Sequence, residues 1–205
     1  MESGNLETLQ LDGGSLVFDF TNTIGNRKTE SAIEYLGRYE DILTWSQRAG
    51  ILTPHQHTFL NTKAEENQQR AKAEYKRAVR LREILYILFS NIAAGHTPQA
   101  DITSAFNKEL TRAFSNFQLE ISNINAIFVH RQESNALSKP LDLVIRSAYD
   151  VLTSEDFPRI KECSNCGWLF LDKTKNGKRK WCDMNVCGSK DKAKRYYHKK
   201  KERPQ

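Results

Sequence analysis

The sequence predicts a mainly α-helical body with one small β-hairpin, followed by a short basic unit that holds every cysteine. Three observations lead there. Apolar residues recur at helical spacing through most of residues 1–155. Two β-branched and aromatic runs flank Ser122-Asn123, the pattern of a hairpin. All four cysteines and the excess of positive charge fall in residues 156–205. The expected domains are therefore 1–155 and 156–205, the first long enough to bury a core of its own.

Each element of the body has a local reason. Gly13-Gly14 precedes Leu16, Val17, Phe18 and Phe20, then Thr21-Asn22-Thr23. The run is too short for periodicity to separate helix from strand. Read as a helix, it places Asp19, Asn22 and Thr23 on one face. Residues 35–49 form an amphipathic helix with Leu36, Tyr39, Ile42, Leu43 and Trp45 inward, stopped by Gly50. Thr53-Pro54 supplies an N-cap and a first-turn proline for a helix reaching about Ala94. Forty residues would extend roughly 60 Å, so a break is expected inside it. Gly95-His96-Thr97-Pro98 is a loop, residues 100–113 a helix, and residues 117–121 and 126–130 the two hairpin strands. A last body helix, 139–152, turns Leu141, Val144, Ile145, Ala148 and Leu152 inward.

The net charge of +6 is unevenly spread. Residues 159–205 hold 15 of the 31 Lys and Arg but 5 of the 25 Asp and Glu, a net +10, which leaves −4 on the rest. That asymmetry points to a polyanionic partner for the C-terminal unit. The longest apolar run, 84–89, is too short to cross a membrane. The first residues lack the basic start and apolar core of a signal peptide, so a cytoplasmic location is expected. Four clustered thiols in a reducing compartment read as metal ligands rather than disulfides.

The cysteines follow the spacing Cys-x2-Cys-x15-Cys-x4-Cys, at Cys163, Cys166, Cys182 and Cys187. Four thiolates suit the tetrahedral preference of Zn²⁺, with a redox dithiol or an iron–sulfur site as alternatives. Cys163-Ser-Asn-Cys-Gly167 has the form of a zinc knuckle. Trp168 to Leu171 is expected as a strand, Asn176-Gly177 as a hairpin turn, and 178–181 as the returning strand. Cys187 would then enter a helix capped by Ser189. This order is that of a treble-clef-like zinc finger. With all four positions taken by cysteine, no coordination site is open for a catalytic water. The sequence also lacks a phosphate-binding Walker loop, a His-Glu-x-x-His site and a recognisable nucleophile motif. His55 and His57 form an isolated His-x-His, read as first-turn residues rather than ligands.

The closing helix is almost wholly basic. Lys190, Lys192, Lys194, Arg195, Lys199 and Lys201, with Tyr197 among them, are the candidate nucleic-acid contacts, joined by Arg179 and Lys180. Ala193 and Tyr196 are expected to pack back on the finger. Cations in this density neutralise phosphates and release counterions, and so carry affinity without base specificity.

The stretch from Cys163 to Lys201 resembles the CGNR-type zinc finger. Cys163, Cys166, Phe170, Asp172, Trp181, Cys182, Cys187 and Gly188 fall in place, whereas Ser189-Lys190 stands where that family has Asn-Arg. The opening GGSLVFDFTNTIGNR resembles the start of the ABATE domain, a family of stress-induced transcription regulators. The two resemblances imply a bacterial two-domain pattern: a zinc-dependent DNA-binding regulator whose helical domain senses a small-molecule effector, forms a homodimer, or both. They also make Asp19, Asn22, Thr23 and Arg27 candidates for a ligand pocket, the alternative being capping and polar packing. An RNA- or ribosome-associated module is the runner-up for the finger.

Overall fold

A computed structural model describes residues 2–131 and 136–201; the side chains of Arg195, Tyr196, His198, Lys199, Lys200 and Lys201 lie outside the described set. The body is built round one long helix. In chain order the elements are β1 (Glu2–Ser3), α1 (Leu16–Thr21), β2 (Ile24–Gly25), β3 (Ile33–Glu34), α2 (Tyr39–Arg48), α3 (Pro54–Glu66), α4 (Gln68–Ala93), α5 (Ala100–Phe114), the hairpin β4 (Phe117–Ile121) and β5 (Ala126–His130), and α6 (Lys139–Thr153). The finger follows with β6 (Ile160–Glu162), β7 (Leu169–Leu171), a π-helical turn (Met184–Gly188) and α7 (Ser189–Lys201).

The expected break falls at Asn67, whose backbone (φ −138°, ψ 70°) leaves the helical region. The Asn67 side chain accepts from the Arg70 N–H and so caps α4. α1, α2, α3 and α5 all pack against α4, and α6 closes the bundle against α1 and α5. Val17, Phe18, Phe20, Trp45, Leu85, Phe89 and Ile145 are fully buried. Burial of each large side chain contributes roughly 1.5–3 kcal/mol.

One boundary and one strand pairing differ from the sequence expectation. The second helix begins at Tyr39 rather than Tyr35, because Ile33–Glu34 is taken into a small sheet of order β1-β3-β2. The Asp41 carboxylate then accepts from the N–H groups of Gly37 and Arg38, fixing the start. The finger's strand pairing differs too. β7 pairs antiparallel with β6, Ile160 opposite Leu171, and not with residues 178–181. The knuckle is itself the hairpin turn, which leaves 178–181 without a strand partner.

That hairpin belongs to the main core. Ile160, Leu169 and Leu171 are buried in the same apolar cluster as the body helices. β6 lies against α4, and β7 against α1 and α4.

The polar middle of α4 is divided: Lys72, Lys76 and Arg80 are exposed, whereas Glu74, Arg77 and Arg82 are buried. Arg82 is buried and grips both Glu34 carboxylate oxygens at 2.7 and 2.6 Å, with Thr23 Oγ1 at 3.0 Å. One turn away, Arg77 is paired with Glu74, Glu109 and Asp142 beneath α5 and α6. No helix among the described residues is long and apolar enough to cross a membrane.

Candidate metal centre and nucleic-acid interface

The knuckle is shaped by the backbone first. The Cys163 N–H donates to the Trp168 carbonyl at 2.7 Å, and the Gly167 N–H returns to the Cys163 carbonyl at 3.0 Å. Gly167 sits at φ +79°, and a Cβ there would lie 3.2 Å from Arg27 Cβ, so both conformation and space call for glycine. Beyond β7, the buried Asp172 carboxylate accepts from the Thr174 and Arg179 N–H groups at 3.0 and 2.8 Å. Asp172 thus folds residues 173–181 back toward the knuckle as a loop. Asn176-Gly177 does turn, with Gly177 at φ +57°, but the chain after it is held by Asp172 and not by a ladder.

These turns bring the four cysteines together. The sulfurs of Cys163, Cys166, Cys182 and Cys187 all lie within 4.8 Å of one another, and all four residues are buried. Cys166 and Cys182 are 3.6 Å apart, and Cys182 and Cys187 3.7 Å. A disulfide needs about 2.05 Å. A tetrahedron with Zn–S of about 2.3 Å has sulfur–sulfur edges of about 3.8 Å. The donor set and its size therefore fit Zn²⁺, which these four side chains would hold. Crowding already favours a charge here. Hydrogen bonds from the Cys166 and Cys182 thiols pull Cys163 far below its ordinary value. The same contacts, read from their Cys163 end, push Cys166 up to about 12 and Cys182 higher still. Phe170, Trp168 and Trp181 pack round the sulfurs.

Cys187 lies within a helical turn and not ahead of one. Asp183, rather than Ser189, is the N-cap: its side chain accepts from the Val186 N–H, and its carbonyl from those of Cys187 and Gly188 at 3.1 Å. Ser189 is already helical, at φ −67° and ψ −41°. A carboxylate directly after the ligand Cys182 is the local signal for this cap.

The basic residues divide into two groups. Arg179 faces inward, its guanidinium 4.9 Å over the Phe170 ring and its Nε donating to the Trp181 carbonyl at 2.8 Å. It braces the finger. Lys180, Lys190, Lys192, Lys194 and Tyr197 are exposed, Lys194 reaching Asn165 Oδ1 at 3.5 Å. Arg195, Lys199 and Lys201 lie on α7, with side chains outside the described set. Ala193 is exposed and does not pack back on the finger. α7 packs mainly on the preceding π-turn and otherwise projects from it.

The residues expected to share a ligand pocket are sent to separate partners. α1 ends at Thr21, so the common helical face through Asn22 and Thr23 does not form. Asp19 accepts from the Gly13 N–H at 2.9 Å. Asn22 bonds the backbone of Leu169. Thr23 donates to the Phe20 carbonyl and accepts from Arg82. Arg27 pairs with Glu83 at 2.8 Å and lies 3.9 Å over the Tyr86 ring. His55 is exposed, and the four cysteines are the one group of such ligands gathered among the described residues.

Beside this geometry stand two family matches. A model of the CGNR zinc finger matches residues 159–200. A model of the ABATE domain, described as a putative stress-induced transcription regulator, matches residues 14–155. No curated protein matches the sequence.

Proposed function

The chain belongs to the ABATE family and ends in a CGNR zinc finger, and from that premise we propose that it is a zinc-dependent, DNA-binding transcription regulator. Residues 156–205 contact the nucleic acid, and residues 1–155 sense an effector, dimerise, or do both. The supporting observation is the placing of α7. Cys187 stands two residues before it, so the metal centre fixes the end of a helix of 13 residues, about 20 Å long, that presents exposed lysines. Such a rod fits a major groove, where its cations neutralise phosphates.

The body has a route to that helix. The Asn22 side chain and the Gly13 carbonyl bond the strand after the knuckle, at Leu169 and Leu171, and the Ile24 carbonyl accepts from the Trp168 indole just before it. A change in the N-terminal segment reaches the finger through these bonds. RNA is the second reading, favoured by Ser189-Lys190: lysine keeps charge without the planar fork that arginine offers to a base edge.

The test is affinity measured against salt. Lys194→Ala with Arg195→Ala is expected to weaken duplex binding and reduce the slope of log K against log salt by about 2. An unchanged affinity and slope would remove α7 from the interface. Competition between duplex DNA and structured RNA at matched salt decides between the two polymers.

A further inference from the structure

A cleft of about 400 Å³ opens where the finger meets the small N-terminal sheet. The body contributes Asp12, Asn26 and Tyr35; the finger contributes Trp168, Asn185 and Lys190, and three cysteines of the metal centre also line the cleft. The seam around it is tied by Trp168 Nε1 to the Ile24 carbonyl at 2.8 Å and by the Leu171 N–H to the Gly13 carbonyl at 2.8 Å.

One polar group of this cleft is already spent: the Asp183 carboxylate accepts from the Val186 N–H. Asp12 and Lys190 line the same space, yet neither forms an ion pair with the other or with any described residue. The side-chain amides of Asn26 and Asn185 and the Tyr35 hydroxyl likewise bond no described residue. Burial pushes the Tyr35 phenol up, so it stays a donor. Trp168 and Tyr35 add aromatic surface. A simple anion placed here would suit Lys190 but meet the Asp12 carboxylate, and a simple cation would meet the reverse conflict. A molecule carrying both charges satisfies both groups.

We infer that this cleft binds a small zwitterion of the amino-acid type, its ammonium at Asp12, its carboxylate at Lys190 and its side chain against Trp168 and Tyr35. Regulation follows, and this part rests on the proposed nucleic-acid contact. A carboxylate held by Lys190 withdraws that ammonium from phosphate, so ligand and nucleic acid oppose each other. The amino acid lowers duplex affinity about tenfold, and the duplex lowers amino-acid affinity by the same factor.

The probe is the set of twenty standard L-amino acids, titrated calorimetrically into the zinc-loaded full chain without nucleic acid. At least one is expected to bind, with its desamino acid and its decarboxylated amine each at least tenfold weaker. Asp12→Asn and Tyr35→Phe are expected to weaken that binding while leaving zinc content and amino-acid-free duplex affinity as in the wild type. No binding by any of the twenty, equally tight binding of either analogue, or an unaffected Asp12→Asn variant would overturn the assignment. Because the titration contains no nucleic acid, its failure leaves the DNA-binding proposal standing. A failure of duplex binding leaves the titration readable.

Discussion

Asn22 and Leu169, 147 positions apart in sequence, exchange two hydrogen bonds: Asn22 Nδ2 donates to the Leu169 carbonyl at 2.9 Å, and the Leu169 N–H donates to Asn22 Oδ1 at 3.0 Å. The side-chain amide stands in for a neighbouring strand and satisfies the free edge of β7. Both residues are buried, so water does not replace these bonds.

Asn22→Ala should therefore destabilise the protein by about 2–4 kcal/mol, since it leaves a buried N–H and a buried carbonyl without partners. Urea unfolding measures the loss. The rate of zinc transfer to a chelator should rise in parallel, because the strand behind the knuckle has lost its tie. A loss below about 1 kcal/mol with unchanged zinc transfer would make the contact incidental.

Removal of the metal should act on the finger first. A unit of this size holds itself together poorly by burial alone, so metal binding and folding are coupled. Chelation, or Cys182→Ser, should reduce far-UV helical signal by the share due to the 13 residues of α7. The body helices should persist, and Zn²⁺ should restore the signal after chelation. Salt-sensitive duplex binding that survives chelation would separate α7 from the metal centre.

The Arg82–Glu34 pair should show strong coupling. Arg82→Met leaves the Glu34 carboxylate facing a buried, apolar neighbour and should cost about 3–5 kcal/mol. The double variant Arg82→Met, Glu34→Leu should recover much of that, because apolar groups of similar volume replace the pair. A double-mutant cycle in guanidinium chloride reads the difference, and additive losses would deny the coupling.

Asp19 gives the stability a pH dependence of definite sign. Burial, aided by the Asp12 charge, raises its carboxyl to about 6 against the Gly13 N–H, which lowers it. The folded state therefore holds this proton more tightly than the unfolded chain, where the ordinary value is about 3.9. Its contribution is complete below pH 4 and is lost as pH climbs through 6, by at most about 3 kcal/mol. Asp19→Asn should keep the Gly13 contact and flatten this part of the profile. Thermal melting of both proteins between pH 4.5 and 7.5 checks it, and parallel profiles would assign the slope elsewhere.

Much of this protein was legible along the chain. The Cys-x2-Cys-x15-Cys-x4-Cys spacing marks the metal centre, Ser122-Asn123 marks the hairpin, and Thr53-Pro54 marks the start of α3. Each depends on residues a few positions apart, where periodicity, capping and turn geometry act directly. The break in the long helix followed from length, although Asn67 as its place did not.

The sequence by itself determined the helical body, the cysteine ligand set and the basic terminal helix, because composition and short-range spacing suffice for all three. Only the tertiary structure decided that β7 pairs with β6, that Asp183 and not Ser189 caps the last helical run, and which partners Asp19, Asn22, Thr23 and Arg27 each bond. It also decided that Arg77 and Arg82 turn inward while Lys76 and Arg80, close to them in sequence, stay exposed. The physical reason is common to these cases. A strand edge, a buried charge or a side-chain amide is satisfied by whichever group the fold brings within about 3 Å, and that group can lie more than a hundred residues away.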